Sequence, residues 1–203
     1  GEQDEFTASV YHLDNRNGIN YGLPWIRPTA ASPVTTSTVM PVDPTSYYGM
    51  ASDRNHGSAS NGTFVHQHRF DSDSELKSQF RYAKYARDMR ASTIRFAPAA
   101  QQPGGVAAGL DTFGPNTVLT RGAPLKIQDM ETVHAQSDLS TKFQAVGVQH
   151  TFIGGVDLAI ENKTVYAART AGAQGGVVPA KPPTTVGTPN DGAWVNEDSR
   201  VLR

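Results

Sequence analysis

LKIQDMETVHAQSDLSTKFQA, residues 125–145, decides the architecture. From Val133 onward the odd positions are Val133, Ala135, Ser137, Leu139, Thr141, Phe143 and Ala145. The even positions from Lys126 to Gln144 are almost wholly polar, among them Gln128, His134, Gln136, Asp138 and Lys142. Successive side chains on a β-strand point to opposite faces, so this pattern predicts one long two-faced strand. It far exceeds the usual strand of about 5–6 residues. Residues 148–161 continue the theme, with Val148, Phe152, Val156, Leu158 and Ile160 on one face. Gln149, Thr151, Ile153, Asp157 and Glu161 lie on the other. Only Ala145-Val146-Gly147-Val148 separates the two runs, which suits a tight hairpin.

Working outward, a second pair precedes the first. Residues 62–70 place Phe64, His66, His68 and Phe70 on one face. Asp71-Ser72-Asp73-Ser74 form a turn. Residues 75–82 then set Leu76, Phe80 and Tyr82 against Lys77, Gln79 and Arg81. A weaker alternation runs from Phe6 to Asn15. Five strands are thus expected. A helix competes over 75–90, because Ser72-Asp73-Ser74-Glu75 matches a capping box and Leu76, Phe80 and Ala83 have helical spacing.

The connections alternate. Those at 71–74 and 146–147 are short. Those at about 17–60, 97–117 and 171 onward are long and rich in Gly, Pro, Ser, Asn and Thr. Structureless connections beyond about 12–15 residues are uncommon in compact domains. Transmembrane barrels combine short turns on one side with long loops on the other.

Composition agrees. The hydrophobic fraction is 37% over 203 residues, and the mean hydropathy is −0.44. A barrel strand needs apolar residues on one face only, so its average hydropathy is polar. The formal net charge of −1 gives no reason to expect a nucleic-acid partner. Cysteine is absent, which excludes disulfides, thiolate metal sites and Cys nucleophiles. No apolar run is long enough for a transmembrane helix. GEQDEFTASV (1–10) has neither the basic nor the apolar region of a signal peptide.

Several segments resemble the barrel of TonB-dependent siderophore receptors, most of all those of the catecholate type. They are YHLDNRNGINYGLPW (11–25), PVDPTSYYGMASD (41–53), HRFDSDSELKSQFRYAKYARD (68–88), ASTIRFA (91–97) and VLTRGAPLKIQDMETVHAQSDLSTKF (118–143). They occur in the right order with compatible spacing and cover most of residues 6–170. KPPTTVGTPNDG (181–192) suits an extracellular loop by composition.

The resemblance implies an all-β chain, an antiparallel meander of about five long strands with long extracellular loops. These would be part of a 22-stranded transmembrane β-barrel in the bacterial outer membrane. It also implies uptake of a ferric siderophore, with iron arriving as a pre-formed chelate and no cofactor required. The implied partners are that chelate, outer-membrane lipid and the inner-membrane TonB complex. This sequence holds no plug domain, no TonB-interacting peptide and no C-terminal strand ending in an aromatic residue. Residues 1–203 are therefore expected to be a fragment of the barrel.

An anionic, aromatic chelate calls for Arg or Lys for charge and aromatic rings for stacking. The loops and strand ends offer Trp25, Arg27, Tyr47, Tyr48, Arg90, Arg95, Arg121 and Lys126. Each of these has a competing role in anchoring a loop, pairing with an acid or lining a polar lumen. His66 and His68 share a strand face, but no third ligand is evident beyond His56 nearby in sequence, and no metal is assigned to them. The Gly-rich stretch 171–176 lacks the Lys-Ser/Thr of a phosphate loop. No G-x-S-x-G, H-E-x-x-H or carboxylate pair marks an enzyme. The rival to a transport receptor is a soluble all-β binding or adhesion module. In that case the apolar faces of 133–145 and 148–160 would meet in a closed core.

Overall fold

The computed structural model describes residues 3–166 and 181–189. In chain order the strands are β1 (Asp4–Asn17), β2 (Arg54–Arg69), β3 (Ser74–Arg90), β4 (Thr93–Phe96), β5 (Val118–Gly122), β6 (Leu125–Ala145), β7 (Val148–Tyr166) and β8 (Thr184–Thr185). β1, β2, β3, β6 and β7 form one sheet in that order, and β4, β5 and β8 form a second, smaller one. The five long strands are an antiparallel meander, as the sequence pattern predicts. β6 has the bounds read from its alternation. Two single turns of 3-10 helix, Ala99–Gln101 and Pro103–Gly105, lie between β4 and β5. No described helix is long and apolar enough to cross a membrane, which says nothing of crossing by strands.

Two compact units make up the chain. The first comprises residues 1–15, 57–87 and 128–165, and the second 16–56, 88–127 and 166–203. In the first, side-chain pairs fix the register. Ser74 meets Thr141 at 2.8 Å, Ser78 meets Ser137 at 2.7 Å, and Lys84 meets Glu131 at 2.9 Å. Each step up β3 is matched by an equal step down β6, as antiparallel pairing requires. The hairpin between β6 and β7 turns on Val146 (φ 51°) and Gly147 (φ 73°). Two successive positive φ values are the mark of a two-residue type I′ turn, whose twist matches its strands.

The structure departs from the sequence expectation in four places. β2 begins at Arg54 rather than at 62. Residues 55–61 (NHGSASN) show no apolar alternation, yet backbone pairing does not require one. β3 runs as strand through Arg90, so the competing helix over 75–90 is overturned; its neighbours β2 and β6 supply the hydrogen bonds that local helical spacing would have made. β4, β5 and β8 were not foreseen, being only two to five residues long. The long connections at about 17–60 and 97–117, expected to be structureless, are folded in large part. The Gly-rich stretch 171–176 lies outside the described residues.

The second unit has its own core. Ile26, Met40, Tyr48, Ile94, Leu119 and Val186 are buried together, with Leu23, Val42, Phe96 and Phe113 packed against them. Residues from four separate stretches of chain therefore meet. β4 and β5 pair antiparallel with Ile94 opposite Arg121 and Phe96 opposite Leu119. β8 adds to β5, with Thr184 opposite Leu119. Arg27 bridges Gly109, and the Leu110 amide donates to the Arg27 carbonyl at 2.9 Å. A Cβ on Gly109 would stand 2.4 Å from the Ala30 amide nitrogen, so this close approach of two backbones requires glycine.

Candidate functional site

Two surfaces carry chemistry. The first is one face of the long sheet. Phe6 and Phe64 stack at 6.0 Å, which places even positions of β1 and β2 on one side. A shallow apolar groove on the same unit is lined by Phe64, Phe80, Ala135, Val156 and Leu158, among others. The faces read from the sequence alternation are therefore continuous across neighbouring strands. These apolar groups are uncovered: Leu158 is 71% exposed, and Phe6, Val10, Phe143, Val156 and Ile160 are exposed as well. No second layer of described residues closes over them, so among the described residues the apolar faces do not meet in a closed core. The Ser78 and Ser137 hydroxyls in this face satisfy each other. Along β3, Ser74 and Lys84 bracket the apolar stretch with polar pairs. Their separation of about ten residues corresponds to about 25 Å of height on tilted strands, at about 3.3 Å per residue.

The opposite face is polar. His134 contacts Asp157 at 2.8 Å, Gln136 donates to Asp138 at 2.8 Å, and Gln67 donates to Glu75 at 2.6 Å. Each of these groups sits at the parity that the sequence assigns away from the apolar face.

The second surface belongs to the folded connections. Ile26 is fully buried and pairs with Thr38 through two backbone hydrogen bonds of 2.9 and 2.8 Å. Alternation about Ile26 turns its neighbours Trp25 and Arg27 away from the core. Trp25 is 66% exposed, and Arg27 is half-buried with its guanidinium donating to the Ser32 carbonyl at 3.2 Å. The same alternation exposes Arg95 beside buried Ile94, and Lys126 beside buried Ile127. Trp25 and Arg27 thus share one face of one segment, while Arg95 lies on β4 and Lys126 on β6.

The other four candidates are internal. Tyr48 is 2% exposed, and its hydroxyl donates to the Val186 carbonyl at 2.9 Å. Tyr47 is buried and its hydroxyl donates to Asp53 at 3.3 Å. Burial, then the Asp53 charge and this hydrogen bond, raise the Tyr47 phenol above its ordinary value. Burial raises the Tyr48 phenol too. Arg121 is buried, donating to the carbonyls of Tyr48 and, at 2.8 Å, Pro182. Arg90 is 2% exposed and grips Asp88 with both Nε (3.0 Å) and a terminal nitrogen (3.3 Å). Asp88 also accepts from Arg54 at 2.8 Å. The structure thus brings Tyr47, Tyr48 and Arg121 together as supports of the connections.

Sequence reasoning missed their partners. Asp53 and Lys181 form an ion pair of 2.9 Å with both side chains buried. Lys181 also donates to the Ala91 carbonyl and to Ser92 Oγ. The signal was faint: one lysine ahead of two prolines, 128 positions from its acid.

No family model matches the sequence. No curated protein matches it at a significant level. Among solved structures, the fold is similar to the ferric-catecholate import receptor Fiu from E. coli K12 in its open form, with a TM-score of 0.69 at 16% identity. The similarity covers 96% of this chain and 28% of that receptor's chain. The chain has the fold of a segment of that receptor. At this identity the likeness establishes architecture.

Proposed function

We propose that this chain forms part of the wall and outer loops of a TonB-dependent receptor that takes up a ferric siderophore, of the catecholate class, across the bacterial outer membrane. One observation carries the reading. Five long strands form a single layer whose apolar face is uncovered, and short turns alternate with long folded connections. That combination is costly in water and suited to a lipid-facing barrel wall. The fold of a ferric-catecholate import receptor supports the reading and its ligand class.

In this reading the wall continues into a 22-stranded barrel with a plug, and lipid covers the face of Phe64, Phe80, Val156 and Leu158. The His134, Gln136, Asp138 and Asp157 face lines the lumen. Trp25, Arg27, Arg95 and Lys126 meet the anionic chelate, the indole by stacking and the cations by charge. Tyr47, Tyr48, Arg90 and Arg121 act one step back, holding the loops that present those groups. Energy comes from the inner-membrane TonB complex through segments outside this chain. The ferric ion is cargo, carried within its chelate.

The test is uptake of radio-iron supplied as a ferric catecholate to an iron-starved bacterium without catecholate receptors of its own. The complete polypeptide carrying this chain is expressed with and without a functional TonB system. TonB-dependent uptake is expected. Correct outer-membrane insertion without uptake would remove the catecholate assignment.

A further inference from the structure

His66 and His68 lie two apart on β2, so their rings project from one face. The structure supplies the third group that the local sequence lacks. Asp4, on β1, places Oδ1 2.9 Å from His66 Nε2 and 2.7 Å from His68 Nδ1. One ligand atom from each residue lies within 4.8 Å of the others. The rings are held in place. Phe6 stacks on His66 at 4.5 Å with 8° between the planes, and Phe70 meets His68 edge-on at 4.7 Å. The three polar groups are part-exposed on the face that carries Phe64, within a few residues of the turn at 71–74; in the proposed barrel they stand at the membrane interface at that end of the strands, where an ion reaches them from water.

We infer that Asp4, His66 and His68 form a surface site for a divalent transition-metal ion of the zinc or copper class. Two imidazoles and one carboxylate favour such ions over magnesium or calcium, which prefer all-oxygen sites. Ligand atoms around tetrahedral zinc stand about 3.4 Å apart, given bonds of about 2.0–2.2 Å. The present spacings are shorter by about half an ångström, because a proton rather than an ion bridges each pair. A small rotation of the Asp4 side chain opens that gap. Three protein ligands leave a fourth position to water, so the site is exchangeable. The ion ties β1 to β2 at a point 62 and 64 residues apart in sequence. The inference rests on this geometry and is independent of what the protein transports.

The complete polypeptide, purified in detergent and stripped of metal, is titrated calorimetrically with zinc. One saturable site is expected that disappears in His66→Gln/His68→Gln and weakens about ten-fold or more in Asp4→Asn. Copper(II) bound to the unmutated protein should show hyperfine coupling to two imidazole nitrogens, a readout that needs no variant. Zinc should also raise the unfolding temperature of the unmutated protein and leave that of the double variant unmoved. Absence of saturable binding, or binding of equal strength in the double variant, overturns the site.

Discussion

The Tyr48 hydroxyl reaches the Val186 carbonyl across 138 residues of sequence. Tyr48→Phe leaves that buried carbonyl without this donor, and a loss of about 1–3 kcal/mol is expected in urea unfolding. The Asp53–Lys181 pair is a stronger case, because both groups are charged and buried. Removing Lys181 alone, as Lys181→Met, strands the Asp53 charge and should cost about 3–5 kcal/mol. The double change with Asp53→Asn should recover much of that loss, which a double-mutant cycle measures. Tyr47 adds a pH dependence. Its phenol is raised when folded, so its contribution is complete below the ordinary value of 10.0 and is lost as pH rises beyond it. Unfolding measured above that pH should show a stability loss that Tyr47→Phe diminishes.

At the scale of elements, the hairpin between β6 and β7 holds a non-glycine residue at positive φ, Val146. A β-branched residue is strained there, whereas Asn-Gly is favoured in a type I′ turn. Val146→Asn is therefore expected to stabilise the protein by about 1 kcal/mol, read as a higher unfolding midpoint. β6 was legible because from Val133 onward one face stays apolar or small and the other polar, and only a period of two explains that. β2 was legible only where Phe64 and Phe70 mark it; its first half is polar and small. The core of the second unit left no such trace. Ile26, Ile94, Leu119 and Val186 come from four segments, and no local period links them. The candidate site was legible by residue type but not by direction. Tyr48 and Arg121 read from sequence like Trp25 and Arg95, and only their packing separates supports from surface. Asp4 became a partner of His66 and His68 through strand pairing alone, which a scan of nearby residues does not see.

For the whole molecule, the central question is which side of the sheet meets lipid. Leu158→Arg on the apolar face should cost about 2–4 kcal/mol in folding into vesicles, the penalty for a cation at the bilayer midplane. Asp157→Arg, one residue away on the polar face, should cost far less. The direct measurement is a nitroxide scan along β6 and β7, which the absence of cysteine from this chain makes simple. Single cysteines are introduced in the complete polypeptide in lipid bilayers, and each label is tested against oxygen and a water-soluble nickel chelate. Labels at 156, 158 and 160 should collide with oxygen, and those at 157, 159 and 161 with the nickel chelate, with the same alternation at 133–143. Loss of that alternation, or apolar positions shielded from both reagents, would contradict a lipid-facing wall.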